Sequence, residues 1–220
     1  MTIEYDQLPA NPANFVPLTP ISFLQRTADI YPQRESLVYN QRRYTWAQTR
    51  NRCTRIASSL AARGIGKNDT VSLFAFNTPE MFESHFSIPM SGAVLNTINT
   101  RLDAATVAYI IDHGESKVFI CDRQLWPVLE EALKSSKVQP EIIIIDDMDA
   151  TEKPDLPDDI EFSYYEDLVE RGDDTFQWRE PEDEWQALTL NYTSGTTGHP
   201  KGVVYPLSSH CMSESSSKER

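Results

Sequence analysis

The sequence predicts a doubly wound α/β fold with a mostly parallel sheet. Short apolar runs alternate along the chain with segments whose apolar residues recur at helical spacing, which is the order of β-α units. Residues 142–145 are four consecutive isoleucines, so their strand should be buried on both faces, as strands of a parallel sheet are. The 220 residues are enough to bury a substantial core.

Each element is predicted from local signals. The clearest helix begins after Thr45, where Gln48 completes a capping box, and it stops at Gly64. Residues 148–159 are acidic and lack periodicity, so we interpret them as a solvated loop. In chain order the predicted helices are 21–31, 45–64, 78–90, 104–113, 124–135 and 165–170, and the predicted strands are 37–39, 43–44, 71–76, 93–95, 117–121, 141–145, 161–164, 187–191 and 203–205.

Three regions are expected along the chain. Residues 1–20 contain four prolines and little periodicity, which indicates an extended arm. Residues 21–205 carry the α/β pattern and form the domain. Residues 206–220 hold six serines and no apolar stripe, so this tail is predicted to be disordered.

Composition restricts the classes of function. The formal net charge is −13, but residues 141–184 alone hold 18 acidic and 3 basic residues, so the acidity is regional. No basic stripe with interleaved aromatic residues occurs, which argues against a nucleic-acid partner. The three cysteines are widely spaced and match no zinc or disulfide pattern, so no metal ligands are predicted. The sequence contains no run of about 18 apolar residues, so no transmembrane segment is predicted.

Residues 192–202, Tyr-Thr-Ser-Gly-Thr-Thr-Gly-His-Pro-Lys-Gly, directly follow a predicted strand. Glycines allow backbone N–H groups to converge on an anion, hydroxyl groups add donors, and a lysine adds a mobile positive charge. The segment therefore predicts a loop that binds polyphosphate. A Ser/Thr/Gly-rich surface hairpin is the plainer alternative, although the spacing of glycine, proline and lysine fits it poorly.

This loop is not a Walker P-loop, which requires G-x-x-x-x-G-K-[ST] at the start of a helix. Counted from Gly195, the second glycine position holds Pro200, and Gly202 follows Lys201 where serine or threonine should stand. Pro200 cannot donate an N–H group and disfavours a helix. The β-prone run 203–205 instead predicts a strand–loop–strand unit.

The segment closely resembles the phosphate-binding motif [ST]-S-G-[ST]-T-G-x-P-K-G of the adenylate-forming (AMP-binding) superfamily, and residues 193–202 match every fixed position. Residues 17–24, 77–81, 89–93 and 96–102 also resemble blocks of its acyl-activating branch, the acyl-CoA synthetases. The resemblance covers residues 14–205 and implies that this chain is the incomplete N-terminal subdomain of such an enzyme.

The resemblance implies a ligase of fatty acid metabolism or related acid activation. In such enzymes a carboxylate attacks the α-phosphorus of ATP to give an acyl-adenylate, and coenzyme A then accepts the acyl group. Lys201 is the implied catalytic residue, which screens the charge on the departing pyrophosphate. The implied ATP-binding residues are Thr193, Ser194, Gly195, Thr196, Thr197, Gly198 and Lys201. The Mg²⁺ ligand of the family is expected outside this chain.

The family's adenine pocket, its magnesium-binding glutamate and its C-terminal lysine segment have no match here. We therefore expect ATP-dependent acid activation in a full-length parent, with this chain inactive alone. The alternative is a non-catalytic isoform that interacts with the full-length enzyme or regulates it. A luciferase-like or nonribosomal adenylation enzyme is a lesser alternative. A cytoplasmic location is expected, or a peroxisomal one for the parent, since Lys218-Glu219-Arg220 is no peroxisomal signal.

Overall fold

The protein contains a seven-stranded mixed sheet with helices on both faces and a separate two-stranded hairpin. The structure is a computed structural model that describes residues 19–182, 185–193 and 199–206, so most of the predicted arm and tail lies outside the described residues. The helices are α1 (Pro20–Ile30), α2 (Trp46–Ala62), α3 (Pro79–Met90), α4 (Ala104–His113), α5 (Trp126–Ser135) and α6 (Tyr165–Arg171). The strands are β1 (Glu35–Tyr39), β2 (Arg42–Thr45), β3 (Thr70–Phe74), β4 (Val94–Thr97), β5 (Ser116–Asp122), β6 (Glu141–Ile145), β7 (Phe162–Tyr164), β8 (Ala187–Thr193) and β9 (Lys201–Pro206).

The large sheet has the strand order β7-β6-β5-β3-β4-β8-β9. Its first six strands run parallel, and β9 is antiparallel to β8. The chain leaves β3 in one direction to form β4 and then crosses to the other side of β3 to form β5, β6 and β7. Because this reversal is the defining feature of a doubly wound sheet, the predicted fold class is confirmed.

Two layers of the core cover the sheet, one on each face. Buried side chains of α2, α3 and α6 form the first layer with the sheet, and those of α4 and α5 form the second. The isoleucines of β6 alternate between them, since Ile143 and Ile145 belong to the first layer whereas Ile142 and Ile144 belong to the second. All four are buried, as predicted for a strand covered on both faces.

Local capping signals place most helix boundaries where the sequence predicts them. The hydroxyl group of Thr45 accepts a bond from the Gln48 N–H group and the Gln48 side chain accepts one from the Thr45 N–H group, so the predicted capping box forms. One segment differs: residues 123–125 form a 3₁₀ turn, and regular helix begins at Trp126. Pro127 stands in this first helical turn, where a missing N–H group is tolerated.

An arginine whose side chain is only 13% exposed joins α2 to α3 and α6. Nε and Nη2 of Arg52 donate to the two carboxylate oxygens of Glu83 at 2.5 and 3.1 Å, and its Nη1 and Nη2 also donate to Glu166. The Glu83 side chain is fully buried, whereas that of Glu166 is 53% exposed. Burial raises the pKa of Glu83 to about 7, although its bonds to Arg52 act in the opposite direction.

After α6 the chain crosses the outer surface of α2 and α3 before it enters β8. Gly172 lies so close to α2 that a β-carbon there would be 2.0 Å from the carbonyl oxygen of Arg55. Further along, the indole N–H group of Trp178 donates to Thr54, and the Arg179 N–H group donates to the Met90 carbonyl. These contacts fix the path of the connector that brings the chain to β8.

Within residues 19–182, 185–193 and 199–206, no helix combines the length and apolar character that a bilayer crossing requires.

Candidate functional site

The β8–β9 hairpin positions the two ends of the predicted phosphate-binding loop. Thr193 ends β8 and Lys201 begins β9, and the two residues face each other as the last aligned pair of the antiparallel ladder. Both are exposed. The two strands of the predicted strand–loop–strand arrangement are therefore present. The loop residues Ser194, Gly195, Thr196, Thr197 and Gly198 lie outside the described residues, so their predicted binding roles stay predictions.

The hairpin lies beside the carboxyl end of the parallel strand β4. β8 runs parallel to β4, with Leu95 aligned to Thr189. At the end of β4 the Thr97 hydroxyl group donates to the Asn191 side-chain oxygen at 2.7 Å. Loops at the carboxyl edge of a doubly wound sheet are the usual place for ligands. The connection between Thr193 and Lys201 therefore leaves the sheet at the edge where a ligand is expected.

Four aromatic rings, the ring cluster, join the hairpin to helix α4; they belong to Tyr109, His113, Tyr192 and His199. Tyr109 stacks on His199 with ring centroids 4.5 Å apart and an interplanar angle of 14°. It also stacks on His113 at 5.3 Å and meets Tyr192 edge-on at 6.5 Å. The Tyr192 hydroxyl group forms a 2.8 Å hydrogen bond with Nδ1 of His113. Both ends of the hairpin connection are thus in contact with α4.

Two glycines lie against Tyr192 of the ring cluster. Gly114 caps the end of α4, and a β-carbon there would lie 2.9 Å from the Ile110 carbonyl oxygen and 3.3 Å from the Tyr192 hydroxyl group. Gly202 lies beside the same tyrosine, and a β-carbon there would be 3.4 Å from its ring. The 3.3 Å distance at Gly114 is tight for a β-carbon, so a larger residue there would press on the Tyr192 hydroxyl group, whereas 3.4 Å at Gly202 is an ordinary contact.

Tyr192 acts in this cluster as a neutral phenol. Burial, with a smaller effect of neighbouring Tyr109, raises the pKa of Tyr192 to about 12. The phenol therefore keeps its proton at neutral pH and can donate it to Nδ1 of His113. The hydrogen bond between hairpin and helix needs no charged partner.

No three His, Cys, Asp or Glu side chains are placed to hold a metal ion anywhere in the part of the chain that the structure describes. The described residues therefore offer no set of ligands to which a Mg²⁺ ion could be assigned.

A groove of about 620 Å³ lies between β1 and the first half of α3. It is lined by residues 36–39, 77–79, 81–82 and 85–86, and none of its lining residues belongs to β8 or β9.

Comparison with known proteins identifies the family. A family model described as "AMP-binding enzyme" matches residues 24–217. The chain belongs to this family of AMP-binding enzymes. The resemblance inferred from the phosphate-loop motif is therefore confirmed.

Its relatives include plant acyl-activating enzymes. "Probable acyl-activating enzyme 6" of Arabidopsis thaliana is 48% identical over 165 residues, which are 74% of this chain and 30% of the relative. "Acetate/butyrate--CoA ligase AAE7, peroxisomal" of the same plant is 44% identical over 214 residues, covering 91% of this chain and 37% of the relative. "Trans-cinnamate:CoA ligase, peroxisomal" of Petunia hybrida is 44% identical, with the same coverages. This chain thus spans about a third of the length of these relatives.

Solved structures share the fold. The anthranilate CoA ligase AuaEII, determined in complex with anthranoyl-AMP, superposes with a TM-score of 0.77 at 22% identity, covering 93% of this chain and 36% of that one. A benzoate CoA ligase from Burkholderia xenovorans gives a TM-score of 0.72 at 17% identity, covering 87% of this chain and 35% of that one. Together these similarities confirm the arrangement of the sheet.

Sequence reasoning found the two hairpin ends but missed the ring cluster. Tyr109 and His113 are spaced i, i+4 on α4, so a shared helix face could have been predicted for them. The contact of Tyr109 with His199 could not have been predicted, because it joins elements that are far apart in the sequence. His199 also occupies the one variable position of the phosphate-loop motif, where the motif gives no signal.

Proposed function

We propose that this chain supplies the phosphate-binding part of an enzyme that activates a carboxylic acid with ATP. In the proposed reaction a carboxylate oxygen attacks the α-phosphorus of ATP, the bond to the β-phosphate oxygen breaks, and acyl-adenylate and pyrophosphate result. The thiol of coenzyme A then displaces AMP to give the thioester. The family match and the names of the CoA-ligase relatives support this reaction class.

The observation that carries the proposal is the pairing of Thr193 with Lys201 across the ends of β8 and β9. This pairing presents a hydroxyl group and an ammonium group at the same end of the hairpin. Residues 194–198 between them supply further hydroxyl and backbone donors in the proposal. Transfer of a nucleotidyl group depends mainly on positioning and on charge stabilisation. Lys201 is accordingly proposed to stabilise the negative charge of the departing pyrophosphate.

The remaining assignments are also proposals. Mg²⁺ is proposed to accompany ATP as the counter-ion of its phosphates. The acid is proposed to be a short aliphatic or an aromatic one, since the relatives' names include acetate, butyrate and cinnamate. The compartment is proposed to be the cytoplasm, with the peroxisome as the alternative that two relatives' names suggest.

The test is the binding of ATP and of inorganic tripolyphosphate to the 220-residue chain, measured by isothermal titration calorimetry. Lys201→Ala should weaken both affinities about tenfold or more, because a hydrogen bond to a charged group contributes about 1.5–3 kcal/mol. Lys134→Ala, which removes an exposed lysine paired with Glu131, is the matched control and should bind like the unchanged chain. If Lys201→Ala and Lys134→Ala bind with equal affinity, the phosphate-binding role of Lys201 is wrong. It is also wrong if Lys201→Ala lowers the free energy of unfolding by as much as it lowers the free energy of binding.

A second measurement addresses turnover. Carboxylate-dependent exchange between ATP and pyrophosphate is expected to be undetectable for the 220-residue chain. Clear exchange with acetate, butyrate or cinnamate would show that the prediction of an inactive chain is wrong. The acid that supports the exchange would also be identified as a substrate.

A further inference from the structure

The ring cluster gives the hairpin a second attachment that is independent of the strand ladder. Tyr109 lies at its centre, since it contacts each of the other three rings. Two of those rings, His199 and Tyr192, belong to the hairpin, and the third, His113, belongs to the same helix as Tyr109. Stacked and edge-on arrangements at such separations are the favourable geometries for aromatic rings. The cluster therefore holds the hairpin against α4 through its side chains.

The two hairpin rings stand immediately next to the functional positions. Tyr192 precedes Thr193, and His199 stands two residues before Lys201. A shift of His199 moves the backbone that leads into Lys201, and a shift of Tyr192 moves Thr193. Because Thr193 and Lys201 are exposed, their own side chains have few packing contacts that could fix them. Their placement thus depends on the neighbouring rings.

We propose that Tyr109 is a positioning residue for the nucleotide phosphates, through its contacts with His199 and Tyr192. The inference rests on the proposed function, since it concerns the same phosphate site. Tyr109 itself lies on α4 and donates nothing to the ligand in this role. Its ring holds Tyr192 and His199, and thereby the neighbouring Thr193 and Lys201, in place before the phosphates bind.

The expected loss of phosphate affinity can be estimated from the ring contacts of Tyr109. An aromatic pair contributes about 0.5–1.5 kcal/mol beyond its buried area, so loss of the Tyr109–His199 stack should weaken phosphate binding about two- to tenfold. Tyr109→Phe keeps the ring and should bind with nearly unchanged affinity. Tyr109→Leu removes the ring and should show the full loss. Rescue by phenylalanine would show that the ring, rather than the hydroxyl group, is responsible.

The experiment is a double-mutant cycle with tripolyphosphate as the ligand. Tyr109→Leu, His199→Ala and the double variant are compared by calorimetry with the unchanged chain. If the stack is what acts, the double variant should lose no more affinity than either single variant. Phe82→Leu is the matched control, because it breaks an aromatic pair with Phe86 on α3, away from the hairpin. It should leave the affinity unchanged.

Nuclear magnetic resonance can report the position of the His199 ring independently of the stability of the chain. In the free chain the Tyr109 ring should shift the ring-proton resonances of His199 upfield by its ring current. Tyr109→Leu should abolish that shift, and Tyr109→Phe should keep it. His199 is exposed, so His199→Ala should fold normally and keep the test valid if Tyr109→Leu does not fold.

The outcomes distinguish the two proposals. If Lys201→Ala weakens binding but Tyr109→Leu and His199→Ala behave like Phe82→Leu, the role of Tyr109 is overturned and the proposed function stands. Additive losses in the double variant would also overturn the role of the stack. If tripolyphosphate does not bind to the unchanged chain, both the proposed function and the role of Tyr109 in binding are overturned. A retained His199 shift would then show that the stack is structural.

Discussion

The buried Glu83 should make the stability of this chain depend on pH in a direction that is unusual for a salt-bridged carboxylate. Burial outweighs the bonds to Arg52 and raises the Glu83 pKa from 4.5 to about 7. Arg52 keeps its charge in either state, because its bonds to Glu166 and Glu83 outweigh the effect of its burial and raise its pKa. The exposed Glu166 therefore leaves Arg52 with a charged partner when Glu83 accepts a proton.

The direction of this pH dependence follows from the linkage between proton binding and folding. A folded-state pKa above the unfolded value means that the folded chain binds the proton more tightly. The stabilising contribution is fully present below pH 4.5 and is lost as the pH rises through about 7. With about 1.4 kcal/mol for each pKa unit, Glu83 should contribute about 2 to 3 kcal/mol more to the free energy of unfolding at pH 5 than at pH 8.

The assay is urea unfolding followed by circular dichroism at pH 5 and pH 8. Glu83→Gln cannot titrate, so the difference in free energy of unfolding between the unchanged chain and this variant should shift by about 2 to 3 kcal/mol in favour of the unchanged chain at pH 5. Glu166→Gln is the matched control, since it also removes one partner of Arg52 but keeps Glu83, and it should retain the pH dependence. The reasoning is refuted if the difference in free energy of unfolding between the unchanged chain and Glu83→Gln stays constant with pH or grows as the pH rises. Either result would show that the ion pair with Arg52 affects the Glu83 pKa more than burial does.

The remaining predictions concern stability and are measured by urea unfolding. Gly172→Ala should cost about 3 kcal/mol, because its β-carbon would meet the Arg55 carbonyl oxygen at 2.0 Å, and an unchanged midpoint would contradict this close approach. Gly64→Ala should cost only about 1 to 2 kcal/mol, since its φ of +81° is strained for alanine but no atom lies within 4 Å. Ile143→Ala should cost about 2 to 5 kcal/mol, as its side chain is fully buried, and a cost below 1 kcal/mol would show that the core collapses around it. Thr45→Ala should cost about 1 kcal/mol through loss of the capping box, and no loss would mean that water replaces the cap.

The features that could be predicted from the sequence are those with local signals. The isoleucines of β6 identified a strand buried on both faces, and the Thr45–Gln48 pair fixed the start of α2. The glycines and Pro200 between two β-prone runs predicted the hairpin that the structure contains. Each of these signals arises from residues within a few positions of one another, so no tertiary information was needed.

The features that could not be predicted depend on contacts between distant residues. Nothing near Val94 indicates that β4 will pair with β8 rather than with another strand. The stack of Tyr109 on His199 likewise exists only because the sheet order brings α4 beside the hairpin. The burial of Glu83 depends on where α2 and α6 lie relative to α3. In the sequence, Glu83 is one acidic residue among the 33 aspartates and glutamates.

The position of β8 between β4 and β9 has a consequence for synthesis of the chain on the ribosome. β4 pairs with β3 along its other edge, but β8 is made only after β5, β6, β7 and the whole connector. Until then one edge of β4 lacks its partner, and an open edge of apolar residues can pair with other chains. Nascent or cleaved chains that end before Ala187 should therefore aggregate, and the arrival of β8 covers this edge of β4 as well as forming the candidate phosphate site.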